Sequence, residues 1–266
     1  MSTLNIAHRG GAALRPENTV AAFSHAIALG ADGAELDVQL SADGVVVVHH
    51  DFRMSPGYAR HEGVWLESPG PCIKDMTLQE MRSYDVGRAR PGSDYAASHP
   101  DQVAVDGERI PTLAEVLALA KSATDFRLMV ELKCDTHRDS GDPVALASAV
   151  RSLVQEADFI SRTIFVGFDW RALAWLKEHQ PDAEVWCTTS EKIAVSPDLL
   201  NIIKGMGGSG WFPHYSKLTD ASAAMARKYN FRLASWTVND EAEMRRLMAL
   251  GVDAICTDRP DILRDL

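Results

Sequence analysis

The sequence predicts an α/β protein: a (β/α)₈ barrel of the TIM type, with an antiparallel hairpin and a small inserted subdomain after it. Three observations lead there. Short apolar strand patterns alternate with helical ones along the 266 residues, which implies parallel strands joined by right-handed crossovers. One connection, Ser41-Ala42-Asp43-Gly44, is too short for a crossover, and Asp-Gly between apolar runs signals a hairpin. With that returning strand set aside, eight parallel strands remain, and barrels of ~250 residues commonly form one domain. A doubly wound sheet is the alternative, but no G-x-G-x-x-G follows the first strand.

The elements follow in order. Leu4–His8 reads as a strand. Asn18–Leu29 carries Val20, Phe23 and Ile27 at helical spacing, and Gly30 supplies a stop. Ala34–Leu40 and Val45–His49 form the hairpin pair. Phe52–Glu108 breaks the rhythm with clustered Pro and Gly and reads as an insertion (52–110 at its widest) that would cap the site. Within it, Tyr58, Trp65 and Tyr84 are expected to form a minor core. A helix from Thr112 to Lys121 opens on a capping box, Thr112 with Glu115 three residues on. Strands then follow at Leu128–Lys133, Thr163–Phe168, Glu184–Thr188, Gly210–Pro213, Arg232–Val238 and Ala254–Thr257. Between them lie helices at Pro143–Glu156, Arg171–His179, Asp198–Lys204, Ala221–Tyr229 and Glu241–Leu250, with a last turn after Pro260. The whole chain, 1–266, is expected to be one barrel domain with the insertion inside it.

Composition narrows the function classes. The 27 Lys plus Arg against 37 Asp plus Glu give a formal charge of −10, which argues against a general nucleic-acid binder. Cys72, Cys134, Cys187 and Cys256 are scattered and form no C-x-x-C pair, so neither structural zinc nor a disulfide framework is expected. No basic-plus-apolar leader pattern opens the chain, and no apolar run approaches the ~18 residues of a membrane span. A cytoplasmic location without stable membrane insertion is the expectation; the oligomeric state is left open.

Barrels of this kind place their active sites at the C-terminal ends of the strands. There the sequence sets His8-Arg9-Gly10, Glu35 with Asp37, Glu131 with Lys133, Trp236 leading to Asn239, and Thr257-Asp258. Residues two apart share one face of a strand, so Glu35 and Asp37 point together, as do Glu131 and Lys133. Buried carboxylates are costly unless paired or bound to a cation. Three hard oxygen donors suit one divalent cation, Mg²⁺ or Ca²⁺, with Mn²⁺ also admissible. The hairpin returns His49-His50-Asp51 alongside these acids, and alternation lets one of the two histidines face them. A pair of histidines near a cation can perform acid–base work near neutral pH. Arg9 and Lys133 offer positive charge to a phosphate.

At these residues the sequence resembles the glycerophosphodiester phosphodiesterases. The match runs through His8-Arg9-Gly10, Pro16-Glu17-Asn18-Thr19, Glu35-x-Asp37, Asp43-Gly44, His50-Asp51, Glu131-Leu-Lys133, Trp236-Thr-Val-Asn239 and Thr257-Asp258-x-Pro260. The resemblance implies that His8 and His50 are the acid–base pair, with His49 facing away. It implies that Glu35, Asp37 and Glu131 bind the cation, that Arg9 and Lys133 lie near the phosphate, and that Glu17 and Asn18 support them. Trp236 would line the glycerol end, and Phe168 would pack on substrate. One position departs from the pattern: Gly167-Phe168-Asp169 stands where Ser-Phe is usual, which removes a hydroxyl contact. The activity implied is metal-dependent hydrolysis of a glycerophosphodiester to glycerol 3-phosphate and an alcohol, in which the glycerol 2-hydroxyl or water attacks. A lysophospholipase D or sphingomyelinase D type activity on the same barrel is the alternative; it needs room for an acyl chain, and no basic amphipathic membrane-facing helix is evident. A non-catalytic phosphodiester-binding protein is disfavoured because every ionisable residue of the pattern is retained.

Overall fold

The computed structural model describes residues 3–134 and 141–266. In chain order its strands are β1 (Leu4–Ala7), β2 (Gly33–Leu40), β3 (Val46–Val48), β4 (Arg60–His61), β5 (Val64–Trp65), β6 (Tyr84–Asp85), β7 (Arg127–Leu132), β8 (Thr163–Gly167), β9 (Glu184–Thr189), β10 (Gly210–Pro213), β11 (Arg232–Ser235) and β12 (Ala254–Thr257). β1, β2 and β7 to β12 pair in parallel, each with its neighbour, and β1 pairs with both β12 and β2, which closes the eight-stranded barrel. β3 pairs antiparallel with β2, Val38 opposite Val48, as the Asp43-Gly44 turn predicts. Gly44 takes φ +77°, a left-handed conformation that glycine adopts without a side-chain clash.

Alternation along the strands builds two apolar layers. Ile6, Met129, Ile164, Trp186, Phe212 and Ala254 fill the barrel interior. Their neighbours of opposite parity, among them Leu36, Val130, Phe165, Val185 and Ile255, pack outward beneath the helices. The capping box at Thr112 forms and opens the helix Leu113–Lys121, an arrangement whose loss costs about 1 kcal/mol.

Several boundaries differ from expectation, and three of the shifts matter for the site. The first strand stops at Ala7, because His8–Gly10 turn into a single 3₁₀ turn with Arg9 at φ 51°. The first helix begins at Val20 with Thr19 as its cap, so Asn18 lies outside it, at φ 55°. β11 ends at Ser235, short of the predicted end at Val238, and Trp236 leaves the ladder through an isolated bridge to His214.

The insertion forms a three-stranded sheet, β5-β4-β6, with short helices at Leu78–Met81 and Asp94–Ser98. Tyr58 and Tyr84 belong to its apolar cluster, together with Met54, Ile73 and Met81. Trp65 instead lies under the Arg60 guanidinium, 5.1 Å away. Val47 and Ile110 complete the cluster. Because Val47 faces opposite to Val46 and Val48 and pairs with Gln39, the insertion rests on the face of β3 that continues the inward face of β2, beside the barrel mouth.

Candidate active site

The C-terminal ends of the strands surround a cleft of about 80 Å³ lined by His8, Arg9, Glu35, Asp37, His50, Glu131, Lys133, Phe168, Phe212, Trp236 and Thr237. Every lining residue lies outside the insertion. A larger hollow of about 610 Å³ adjoins the cleft through Glu131, Lys133 and Phe168 and adds Phe52, Cys134, Asp169, Trp170 and Arg171.

The acids come from adjacent strands in register. Asp37 of β2 sits opposite Glu131 of β7, and Glu35 lies one inward step below. Glu35, Asp37 and Glu131 are buried, and an oxygen from each lies within 4.8 Å of the others. Burial and the Asp37 carboxylate push Glu35 up to about 8. Burial would raise Asp37 as well, but His50, Arg9 and Lys133 hold it well below the usual carboxylate range. Such crowding of hard oxygen donors is what a bound divalent cation relieves, so the residues present fit that group.

The bases stand against these acids. Arg9 places Nη1 2.8 Å from Glu17 Oε1 and Nε 3.4 Å from Asp37 Oδ2, and its backbone N–H donates to Glu35 at 3.2 Å. Lys133 Nζ lies 2.9 Å from Glu131 and 3.6 Å from Asp37. Asn18 donates its amide to Asp37 at 2.9 Å, which its position outside the helix makes possible. Left-handed backbone at Arg9 and Asn18 is uncommon for residues with a Cβ, and such strain gathers at functional sites. Gly10 is required here: at φ +84°, a Cβ on it would meet the Ala22 Cβ at 2.7 Å.

Two imidazoles flank the acids, each tied at Nδ1 to a carboxylate. His8 Nδ1 lies 2.6 Å from Asp258 Oδ1, which turns Nε2 into the cleft, 3.8 Å from Glu35 Oε2. Asp258 is in turn held by the Asn239 amide at 2.7 Å. Burial alone would lower His8, but Asp258 outweighs it and raises the ring. Asp258, which burial would push up, is pulled down to about 2 by His8 and Asn239. His50 Nδ1 lies 2.8 Å from Asp51 Oδ1. The hairpin exposes His50 to the cleft and turns His49 away, 3% exposed and 5.9 Å from the Tyr58 ring. The Gln39 amide, donating to the carbonyls of His49 and Asp51 at 2.7 and 2.9 Å, fixes the chain there.

Phe168 and Trp236 meet edge to face at 5.4 Å. Phe168 is 44% exposed, while Trp236 is anchored by donating Nε1–H to the Phe212 carbonyl at 3.1 Å. Asp169 caps the helix Trp170–His179 and pairs with Arg171, so it is committed to structure. All eleven residues singled out from the sequence thus converge on this mouth; Glu17 and Asn18 stand behind the nine that line the cleft. Asp258, Asn239 and Asp51 are visible in the sequence as motif letters, but without a role. Their signal is a carboxylate or amide at a strand end near a histidine, and only the pairing distances turn it into an assignment.

A barrel mouth that combines a carboxylate cluster, two carboxylate-backed imidazoles and two fixed cations defines a phosphoester-cleaving enzyme. Comparison with known proteins gives the family. Residues 8–262 match the glycerophosphoryl diester phosphodiesterase family. A glycerophosphodiester phosphodiesterase of Caldanaerobacter subterraneus is 34% identical over all of this chain and 98% of its own length. A Silicibacter pomeroyi structure named for the same family superposes with a TM-score of 0.91 at 31% identity, covering 99% of this chain and 94% of that one. An Oleispira antarctica phosphodiesterase, solved with the product sn-glycerol-3-phosphate, shares the fold at a TM-score of 0.78 and 24% identity, over 98% and 94% of the two chains. The chain belongs to the glycerophosphoryl diester phosphodiesterase family and is a phosphoric diester hydrolase. Among the described residues, no helix is long and apolar enough to cross a membrane.

Proposed function

We propose that this enzyme hydrolyses glycerophosphodiesters to glycerol 3-phosphate and an alcohol, with His8 and His50 as the acid–base pair and a divalent cation held by Glu35, Asp37 and Glu131. The observation that carries the reading is one small cleft in which both imidazoles, all three acids, Arg9 and Lys133 meet. The product in the Oleispira relative supports the glycerol 3-phosphate half of the substrate. Mg²⁺, Ca²⁺ or Mn²⁺ suits the all-oxygen donor set, and when bound the cation supplies positive charge against the phosphoryl oxygens.

The chain's own groups do the rest. Arg9 and Lys133 orient the phosphodiester and stabilise the charge that builds on its oxygens. One imidazole takes the proton from the attacking hydroxyl, of water or of the glycerol itself, while the other gives a proton to the departing alkoxide. Asp258 and Asp51, bonded to Nδ1 of each ring, leave Nε2 free for this exchange. Trp236 and Phe168 offer an apolar wall for the carbon skeleton. Glu17 and Asn18 support the site by holding Arg9 and Asp37.

The test is release of choline from glycerophosphocholine by purified protein with Mg²⁺, Ca²⁺ or Mn²⁺ supplied. His8→Ala and His50→Ala should each lose at least about 100-fold in kcat. Near-normal turnover by either variant overturns the acid–base assignment. Faster cleavage of lysophosphatidylcholine than of glycerophosphocholine would move the activity to the lysophospholipase D type.

A further inference from the structure

The insertion leaves the cleft unlined, yet it reaches the site's reactive side chains at second hand. Tyr58 donates its hydroxyl to Asp51 Oδ2 at 3.0 Å, and the other oxygen of that carboxylate meets His50 Nδ1 at 2.8 Å. Tyr95 donates to Glu17 Oε2 at 2.7 Å, and the other oxygen of Glu17 receives Arg9 Nη1 at 2.8 Å. The two tyrosine rings pack together at 4.9 Å. We propose that the insertion positions the reacting groups through these two tyrosines: Tyr58 fixes His50 by way of Asp51, and Tyr95 fixes Arg9 by way of Glu17. The inference rests on the reading that His50 and Arg9 act on the phosphodiester.

The physical reason is rotational. A carboxylate held at one oxygen can still turn about its own bonds, and it lets its partner ring or guanidinium turn with it. Held at both oxygens, it has a fixed plane and passes that plane on. His8 gets this second support from the barrel itself, through Asn239. On the His50 side, the hairpin carries His50 and Asp51 out past β3, and Tyr58 supplies the second bond. Burial pushes both phenols well above their ordinary range, so each keeps the proton it donates. Two hydrogen bonds anchor the insertion just beyond the His8-Arg9-Gly10 turn. Gln102 donates to the Ala12 carbonyl at 2.8 Å, and the Val103 N–H donates to that of Leu14 at 3.1 Å. Neither tyrosine lines the cleft, so both are positioning residues and not catalytic ones.

The test uses the full chain with glycerophosphocholine and the cation that supports activity. Tyr58→Phe keeps the ring packing and should lower kcat about ten-fold with KM nearly unchanged, while Tyr95→Phe, acting through a group that binds the phosphodiester as well as its developing charge, should raise KM in addition to lowering kcat. A general loosening of the insertion would move both variants the same way and would overturn the proposal. Tyr58→Phe on top of Asp51→Asn should cost nothing beyond Asp51→Asn alone, because the hydroxyl works through that carboxylate. Independent, multiplying effects would also overturn it, as would Phe variants that both stay within about two-fold of the parent. His50→Ala, assayed alongside, separates the two failures. If it is inactive while the Phe variants behave as parent, the positioning role falls and the acid–base reading stands; if it keeps its turnover, that reading itself falls.

Discussion

The two ends of the barrel carry charged residues around hollows, and they treat those charges in opposite ways. At the N-terminal end, Arg127, Glu184, Arg232 and Asp253 border a cavity of about 490 Å³. There the charges cancel pairwise: Arg232 sits 2.6 Å from Asp253, Arg127 sits 3.9 Å from Glu184, and Glu184 also takes the Trp186 indole N–H at 3.0 Å. At the C-terminal end three carboxylates crowd within 4.8 Å of each other, and all three are buried. Arg9 and Lys133 offset their charge without separating them. Paired, half-exposed charge adds a little stability. Crowded, buried charge is held at a cost, and a fold keeps it where a ligand will relieve it.

Three substitutions would break or sharpen this contrast. The largest effect is expected for Glu35→Gln. It should weaken divalent-cation binding at least about 100-fold, or about 2.7 kcal/mol or more, and yet raise the melting temperature of the metal-free protein by removing a buried carboxylate that also faces Asp37. Calorimetric titration and metal-free thermal melts read both; cation binding as tight as in the parent would place the ion elsewhere. Next comes Asp258, held at about 2, below the ordinary aspartate value of ~3.9. A carboxylate lowered by folding contributes stability above its ordinary value and loses it as pH falls through the folded one. Between about pH 4 and pH 2 the parent should therefore lose on the order of 2 kcal/mol that Asp258→Asn does not lose. Denaturant unfolding across that range measures it, and parallel curves for the two proteins would contradict it. The smallest effect belongs to the other end: Arg232→Ala should cost about 1 kcal/mol or less and leave turnover as it was. A loss of activity there would mean that the two ends are coupled.

Much of this is legible in the sequence because it is local. Strand and helix follow from hydrophobic period, and the hairpin follows from Asp43-Gly44. The shared face of Glu35 and Asp37 follows from a period of two. Even the split between His49 and His50 is implicit in that alternation, although the residues alone leave open which one faces the acids. The boundaries at His8, Asn18 and Trp236 depart from expectation because these residues leave regular structure to make tertiary contacts: His8 to Asp258, Asn18 to Asp37, and Trp236 to the Phe212 carbonyl. Their local propensities carry no trace of partners that are 250, 19 and 24 residues away.

The sequence by itself determined the barrel, its hairpin and the set of candidate site residues, because periodicity, turn chemistry and residue type are properties of short stretches of chain. Only the tertiary structure decided how those residues are held. It put Asp258 and Asn239 behind His8, and it set Tyr58 and Tyr95 of the insertion behind His50 and Arg9. It also laid the insertion against Val47, on the Gln39 side of the hairpin, with none of its residues lining the cleft. These outcomes depend on barrel closure and on docking between segments far apart in the chain. A carboxylate becomes a partner to a histidine only when the fold brings its oxygens within hydrogen-bond reach.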